Sequence, residues 1–326
     1  MKLRQMFSIL KDFFKKLLLN LKLKLVSTFL KNIKTALLAF LSPLFAWIMK
    51  KKFGREIFYK SIPENNLLIT KTKEGLFFIV HAQDSSIGKD TFVNQIPFES
   101  DALLKALEII NFKKKVLIDI GANIGTVGIF AISNGLFDRC YAIEPEPENF
   151  KLLKVNVELN KLSDKFKLFN QALSNEIGDD LYLEISKSNS GDHRIRITEQ
   201  EGLYGEHLRD TFKVDTNTLD NIINEINLDE CLVFMDTQGF EGHVLSGGQK
   251  IIKNSVPMVT EFWPYGLLRS NGMKSFYESI DSAEYSKIYD LRFPEKEIKF
   301  SKKNIEKIHK ELGESGRFTD LLFIKE

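Results

Sequence analysis

The chain has 326 residues, 43% hydrophobic and 28% charged, with a formal net charge of +2. That composition is ordinary for a globular protein, and the length allows one large domain plus an extension, or two domains. Two cysteines, Cys140 and Cys231, both in apolar strand-like runs, read as reduced core residues and give no sign of a disulfide framework or a zinc site.

The charge is unevenly spread. Residues 1–55 hold thirteen Lys/Arg and one acid, Asp12, so the remainder is acidic by about ten charges. This stretch is rich in Leu and Phe and reads as a basic, apolar helical extension. Lysines interrupt every apolar run before residue 35, which disfavours a cleaved signal peptide. Thr35 to Met49 is apolar, but fifteen residues make about 22 Å of helix against roughly 30 Å of hydrocarbon, and Pro43 lies inside it. The reading preferred is an anchor in which residues 1–52 lie on an anionic membrane surface, each basic residue contributing about 1 kcal/mol. A packing or partner-binding extension is the plain alternative. Nucleic acid is not expected as a partner, because Leu and Phe interleave the basic residues.

Residues 56–326 read as one α/β domain, with a hairpin and helix over 56–112 and the core over 113–326. Asn66 to Thr72 and Leu76 to His81 alternate around Glu74-Gly75, a hairpin signal. Phe98 to Ile110 reads as a helix. Strands follow at Val116–Ile120, Cys140–Glu144 and Phe166–Leu173, with helices at Thr126 to Asn134 and Pro147 to Asn160. Ser174 to Phe212 is polar and irregular, with a strand-like Leu181 to Ile185. An edge strand at Lys213 to Thr216, a helix at Leu219 to Ile226 and strands Cys231–Asp236 and Met258–Phe262 come next. Ser286–Leu291 and Thr319–Ile324 are the last two strands, with a lysine-rich helix between them. Strands alternating with helices predict a mostly parallel, doubly wound sheet with helices on both faces.

The turn Asp119-Ile-Gly121-Ala122-Asn123-Ile-Gly125 carries the first chemical signal. An apolar strand ends in an acid and a glycine-broken turn, and a helix follows. Glu144 falls nineteen residues after Gly125, at the tip of the next strand, where a carboxylate can take both hydroxyls of a ribose. The G-x-G pair of a dinucleotide site is missing, and Asp119 would repel a pyrophosphate. The same carboxylate suits a cofactor bearing a sulfonium and an ammonium, as S-adenosylmethionine (SAM) does. A nicotinamide-dependent oxidoreductase and a membrane-tethered nucleotide-binding scaffold are the competing readings.

Three segments in order are Asp119 to Gly125, Ala142-Ile-Glu144-Pro145-Glu-Pro-Glu-Asn-Phe150 and Met235-Asp-Thr-Gln-Gly-Phe-Glu241-Gly-His-Val-Leu245. Together they resemble the FkbM family of SAM-dependent methyltransferases, over roughly residues 95 to 265. The resemblance implies a class I, Rossmann-like fold of seven strands, the last antiparallel, with SAM at the C-terminal strand ends. It implies O-methylation of a carbohydrate, glycolipid or related natural product. Gly121, Ala122 and Gly125 would let the turn hug the methionine part of SAM, and Asp119 would face its ammonium. Asn123 either hydrogen-bonds the cofactor's carboxylate or caps the helix. Glu144 takes the ribose hydroxyls, Pro145 lines the adenine, and Gln171 with the Ala172 backbone contacts the adenine edge, unless Gln171 is a plain surface residue.

Methyl transfer to a hydroxyl benefits from a base. Asp236, at a strand tip, is either base, acceptor orienter or a helix N-cap. His193, in a Gly-Asp-His-Arg loop, is a second candidate base, and Glu261 ends the neighbouring strand. Glu241 lies in a first helical turn, where a carboxylate is favoured anyway, and His243 is read as structural. Trp263 and Tyr265 either stack on a sugar or fill the core. Asp236 and Glu261 alone are a weak divalent-cation signal, so no metal site is assigned. The localisation expected is cytoplasmic, peripheral at the membrane's cytoplasmic face.

Overall fold

The computed structural model describes residues 41–64, 66–110, 115–178 and 180–325, together with Lys15, Lys16, Lys24, Lys31, Asn32, Lys34 and Thr35. Most of the basic extension therefore lies outside the described residues. The chain divides into two compact units, Met1–Phe58 and Tyr59–Glu326. In the first, residues 41–49 are helical, and the Arg55 guanidinium donates to the carbonyls of Met49 and Lys50. Leu44, Phe45, Trp47 and Phe53 are exposed there. Among the described residues, no helix is long and apolar enough to cross a membrane.

The second unit is built on a sheet of eight strands, one more than the resemblance implies. In chain order they are β1 (Val116–Ile120), β2 (Arg139–Ile143), β3 (Phe166–Phe169), β4 (Cys231–Met235), β5 (Met258–Phe262), β6 (Lys287–Asp290), β7 (Glu297–Lys299) and β8 (Thr319–Ile324). Their spatial order is β7-β6-β8-β5-β4-β1-β2-β3. The five strands from β5 to β3 are parallel, and β8 runs antiparallel between β5 and β6. The additional strand, β7, pairs antiparallel with β6 at the sheet's edge. It is three residues long and largely exposed, so no continuous apolar run announces it.

The central strands are buried on both faces, as parallel strands covered by helices are. Leu117, Ile118, Val233, Met258 and Phe323 are all sealed from solvent. One face packs Ile118, Ile120, Met235, Phe262 and Phe276 into an extended apolar cluster. The hairpin forms as Leu67–Lys71 with Phe77–His81, and the following helix as Ser100–Ile109.

Several expected elements differ. The strand expected over Phe166–Leu173 breaks at Asn170-Gln171, because the Asn170 amide turns in to donate to the carbonyls of Glu144 and Pro145. Ala172–Leu173 then pairs with Thr216–Asn217 instead. The polar stretch after Ser174 holds a separate three-stranded sheet of Arg194–Ile195, Leu181–Glu184 and Thr211–Val214. The helix that begins at Glu241 ends at Ser246, and a second, Gln249–Lys253, follows after Gly247-Gly248. A Cβ on Gly247 would stand 2.0 Å from the Ser174 carbonyl oxygen, so that close approach demands a glycine. The helix expected over Leu219 to Ile226 is only Leu219–Ile222.

Candidate functional site

Parallel strands end together, so the residues just past β1, β2 and β4 and at the end of β5 meet at one edge of the sheet. There they open into a cavity of about 710 Å³, inside the roughly 300–1,000 Å³ range of small-molecule sites. Asp119, Gly121, Ala122, Asn123, Glu144, Pro145, Gln171, Ala172, His193, Asp236 and Glu261 all line it. Gly125, behind the turn, does not.

At one end lies the β1 turn. The amides of Gly121 and Ala122 both donate to the Ile143 carbonyl, which pins the turn to the tip of β2. Gly121 and Gly125 both take left-handed backbone. A Cβ on Gly121 would sit 1.8 Å from the Asp236 carbonyl oxygen, and one on Gly125 2.6 Å from Leu153 Cδ1. Both glycines let the chain's own segments close up, and Gly121 also lines the cavity. Asn123 is not the helix cap. Its φ of 50° is left-handed, its Nδ2 donates to the Ser190 carbonyl, and Gly125 is the helix cap. The asparagine ties the turn to the 186–193 loop.

Glu144 is buried and held at both oxygens. Oε2 accepts from the Asn123 amide and Oε1 from the Glu146 amide. Burial pushes it up to about 8, with the charges of Glu146 and Asp119 adding to the rise. Asp119 is 2% exposed, and Oδ2 has no hydrogen-bond partner among the described residues. Burial pushes it up to about 7, and Asp236 adds to it. Gln171 accepts from Asn217 Nδ2 and also lines the cavity, so it is more than a surface residue.

The other end is acidic. Asp236 Oδ1 accepts from Gln238 Nε2 at 2.7 Å and from the Gln238 amide at 3.3 Å, a local turn rather than a helix N-cap. Burial raises Asp236, while hydrogen bonds from Gln238, Glu99 and Glu261 draw it back. Burial and the Asp236 charge push Glu261 well above the carboxylate range. Glu241 is fully buried. Its Oε1 accepts from Thr237 N and Oγ1 and from Gly239 N, so it shapes the turn after β4.

Sequence reasoning missed two members of this group. Glu99 precedes the Ser100–Ile109 helix with φ 60° and makes no cap hydrogen bond. Its carboxyl, raised well above its ordinary value by burial and by Asp236, hydrogen-bonds Asp236 instead. Asp320 on β8 lies directly opposite Glu261, and burial with the Asp236 charge raises it to about 7. A non-glycine residue with positive φ is a usable structural signal, but nothing in the local sequence announces it.

His193 does not suit the role of base. Its Nδ1 accepts from the Ser186 amide at 3.1 Å, which commits the ring's one lone pair. Burial lowers its pKa to about 4, so at neutral pH the ring is uncharged and carries its proton on Nε2. It donates; it does not abstract. The groups acting on it are Asp192, Arg209 and His81, not the acids of Asp236.

The roof comes from the 174–218 insertion. Arg194, 5% exposed, pairs with Asp192 and with Glu206 at 2.7 Å. Its guanidinium lies 4.5 Å from the Trp263 ring centroid and 4.9 Å from that of Tyr204. The Trp263 face expected to stack on a sugar is therefore occupied by Arg194. Tyr265 is committed as well, donating to Glu206 Oε1 at 2.7 Å. Burial raises Glu206, but Tyr265, the Tyr204 amide and Arg194 outweigh it and hold it down at about 2. His243 packs on Phe240 and hydrogen-bonds the Ser270 carbonyl, a structural role.

Residues 119–282 match the family model described as Methyltransferase FkbM domain. No curated protein matches the chain. Among solved structures it is similar to methyltransferase FkbM from Methylobacillus flagellatus KT, at 15% identity and TM-score 0.40, over 71% of this chain and 49% of that one. It is also similar to the M. jannaschii tRNA m1G37 methyltransferase, at 15% identity and TM-score 0.37, over 84% and 64% of the two chains. A third is the Pyrococcus abyssi tRNA (uracil-54, C5)-methyltransferase in complex with S-adenosyl-L-homocysteine, at 10% identity and TM-score 0.35, over 79% and 43%. The chain spans less than two thirds of the length of each.

Proposed function

The chain belongs to the FkbM methyltransferase family, and on that premise we propose that it transfers the methyl group of SAM to a hydroxyl of a carbohydrate or glycolipid. The observation that carries the reading is one cavity with two chemically distinct ends. The Glu144 end offers carboxylate oxygens at the tip of β2, suited to ribose hydroxyls. Asp119, in the same lining, supplies negative charge for the ammonium. A pyrophosphate would meet these same carboxylates, so nothing favours the nicotinamide alternative.

Transfer is an in-line displacement at the methyl carbon. The acceptor oxygen bonds to carbon as the sulfur leaves with its electron pair, and positioning supplies much of the rate. The acceptor's proton needs a carboxylate within reach. Asp236 receives it, held by Gln238 and with Glu99 and Glu261 beside it in the cavity lining. His193 Nε2–H is a donor suited to an acceptor or cofactor oxygen.

Calorimetry with SAM, S-adenosylhomocysteine and NAD tests the cofactor. SAM should bind, Glu144→Ala should abolish binding, and Asp236→Asn should retain binding while losing methyl transfer. NAD binding without SAM binding would sink the reading. The exposed apolar side chains between residues 41 and 57 and the thirteen basic residues of 1–55 support attachment to an anionic membrane face, and hence a lipid-linked acceptor. Removing residues 1–50 should abolish co-sedimentation with anionic vesicles and leave SAM affinity unchanged. Continued sedimentation would refute the anchor.

A further inference from the structure

We propose that Asp236, Glu241 and Glu261 form a binding site for one hard divalent cation, with Gln238 as a fourth oxygen ligand. One carboxylate oxygen from each of the three acids lies within 4.8 Å of the others. Two oxygens on one ion are separated by at most twice the metal–oxygen distance. That limit is about 4.2 Å for Mg²⁺ and about 4.6–5.2 Å for Ca²⁺. The spacing falls within the upper limit for an ion of calcium size, and a contraction of the three side chains would bring it within the limit for magnesium or manganese.

A second observation points to a ligand. Glu241 is fully buried, and while Oε1 accepts three hydrogen bonds, Oε2 has no partner among the described residues. A buried carboxylate oxygen left without a partner is costly, and an ion would satisfy it. Glu261 also faces Asp320 directly across the β5–β8 pair. Like charges directly opposite repel, and an ion between the strand tips would relieve that repulsion.

Gln238 adds the fourth donor. Its Nε2 lies 2.7 Å from Asp236 Oδ1 and 3.4 Å from each oxygen of Glu261, between the two acids. Turning the amide over exchanges Nε2 for Oε1 with little change of shape. Four oxygens and no nitrogen or sulfur select a hard ion over zinc or copper.

An organic ammonium carried by an acceptor is the other cation to weigh. Asp236, Gln238 and Glu261 line the cavity, but Glu241 stands behind that lining. A bare ion can settle among all three acids, whereas an ammonium tethered to a larger molecule stops at the front two. The ion would present its open coordination positions to the cavity, where an acceptor hydroxyl could bind. That last role rests on the methyl-transfer reading; the binding site itself does not.

The test is calorimetry of the chelator-treated 326-residue chain with CaCl₂, MgCl₂ and MnCl₂, with electron paramagnetic resonance for bound Mn²⁺. SAM binding and the melting curve are recorded on the same samples. One ion per chain is expected. Glu241→Gln and Glu261→Gln should each weaken it at least about tenfold, while Glu284→Gln, at a remote surface pair, leaves it unchanged. Glu261→Asp, which keeps the charge, should retain more affinity than Glu261→Gln in a folded protein. No bound ion in a chain that melts cooperatively and binds SAM would overturn the site and leave the methyltransferase reading standing. Ion binding that survives both glutamine variants, or saturation by methylammonium in place of the divalent ions, would also overturn it.

Discussion

Gly121→Ala separates two explanations of the same glycine. If the glycine exists to admit a cofactor, the substitution costs SAM affinity and leaves the fold alone. The structure assigns the cost to folding. The backbone stands at φ +84°, where a side chain costs about 1–2 kcal/mol. The new Cβ would lie 1.8 Å from the Asp236 carbonyl oxygen, and contacts under 3.0 Å essentially never occur. One strand tip must therefore move by at least about 1.2 Å, an overpacking cost of about 1–3 kcal/mol. The Asp236 amide to Ile120 carbonyl bond, 2.9 Å, lies in that path and contributes about 1 kcal/mol more. The total, about 3–6 kcal/mol, is a large share of the 5–15 kcal/mol of a typical domain. Urea unfolding with SAM calorimetry on the same protein measures both effects. Gly135→Ala is the control: it has φ +67° but nothing within 4 Å, so only the backbone cost of about 1–2 kcal/mol applies. A Gly121→Ala protein of undiminished stability that fails to bind SAM would refute the reasoning and restore the cofactor explanation.

Arg194→Met should cost about 1.5–3 kcal/mol in urea unfolding, because buried Glu206 and half-buried Asp192 lose a charged donor while keeping Tyr265 and Arg209; a change under about 1 kcal/mol would show the roof network to be energetically idle. SAM affinity should fall with acidity. Glu144 and Asp119 stand raised to about 8 and about 7, and each must be ionised to accept hydroxyls or face a cation. The bound state therefore holds fewer protons than the free one, and binding releases them. Below about pH 7 affinity should drop by up to about tenfold per pH unit for each group still protonated. Calorimetry between pH 6 and 9 that shows a flat profile and no proton release would refute this.

The sequence was legible where local pattern and burial agree. Val116–Ile120, Met258–Phe262 and Thr319–Ile324 stand at the expected bounds, since strands buried inside the sheet are largely apolar runs between turns. The strand at Phe166 misled because its break depends on Asn170 reaching two carbonyls of another segment. The strand β7 gave no signal because a short exposed edge strand has no apolar face to show. The roof insertion read as irregular for a related reason: its order comes from Arg194, Arg196 and Arg209 pairing with acids far along the chain, and charged residues in sequence look solvated until their partners are known.

By itself the sequence determined that acids would stand at strand tips: Asp119, Glu144, Asp236 and Glu261 each follow or end an apolar run, and parallel pairing must bring such ends to one edge. Tertiary structure alone decided what surrounds them. It brought Glu99 and Asp320 from distant elements to the acids, set Gly121 against the Asp236 carbonyl, and fixed His193 as a donor through the Ser186 amide. These are contacts between segments far apart in the chain. Periodicity reports which face of an element is buried; it carries no record of which atom lies against that face.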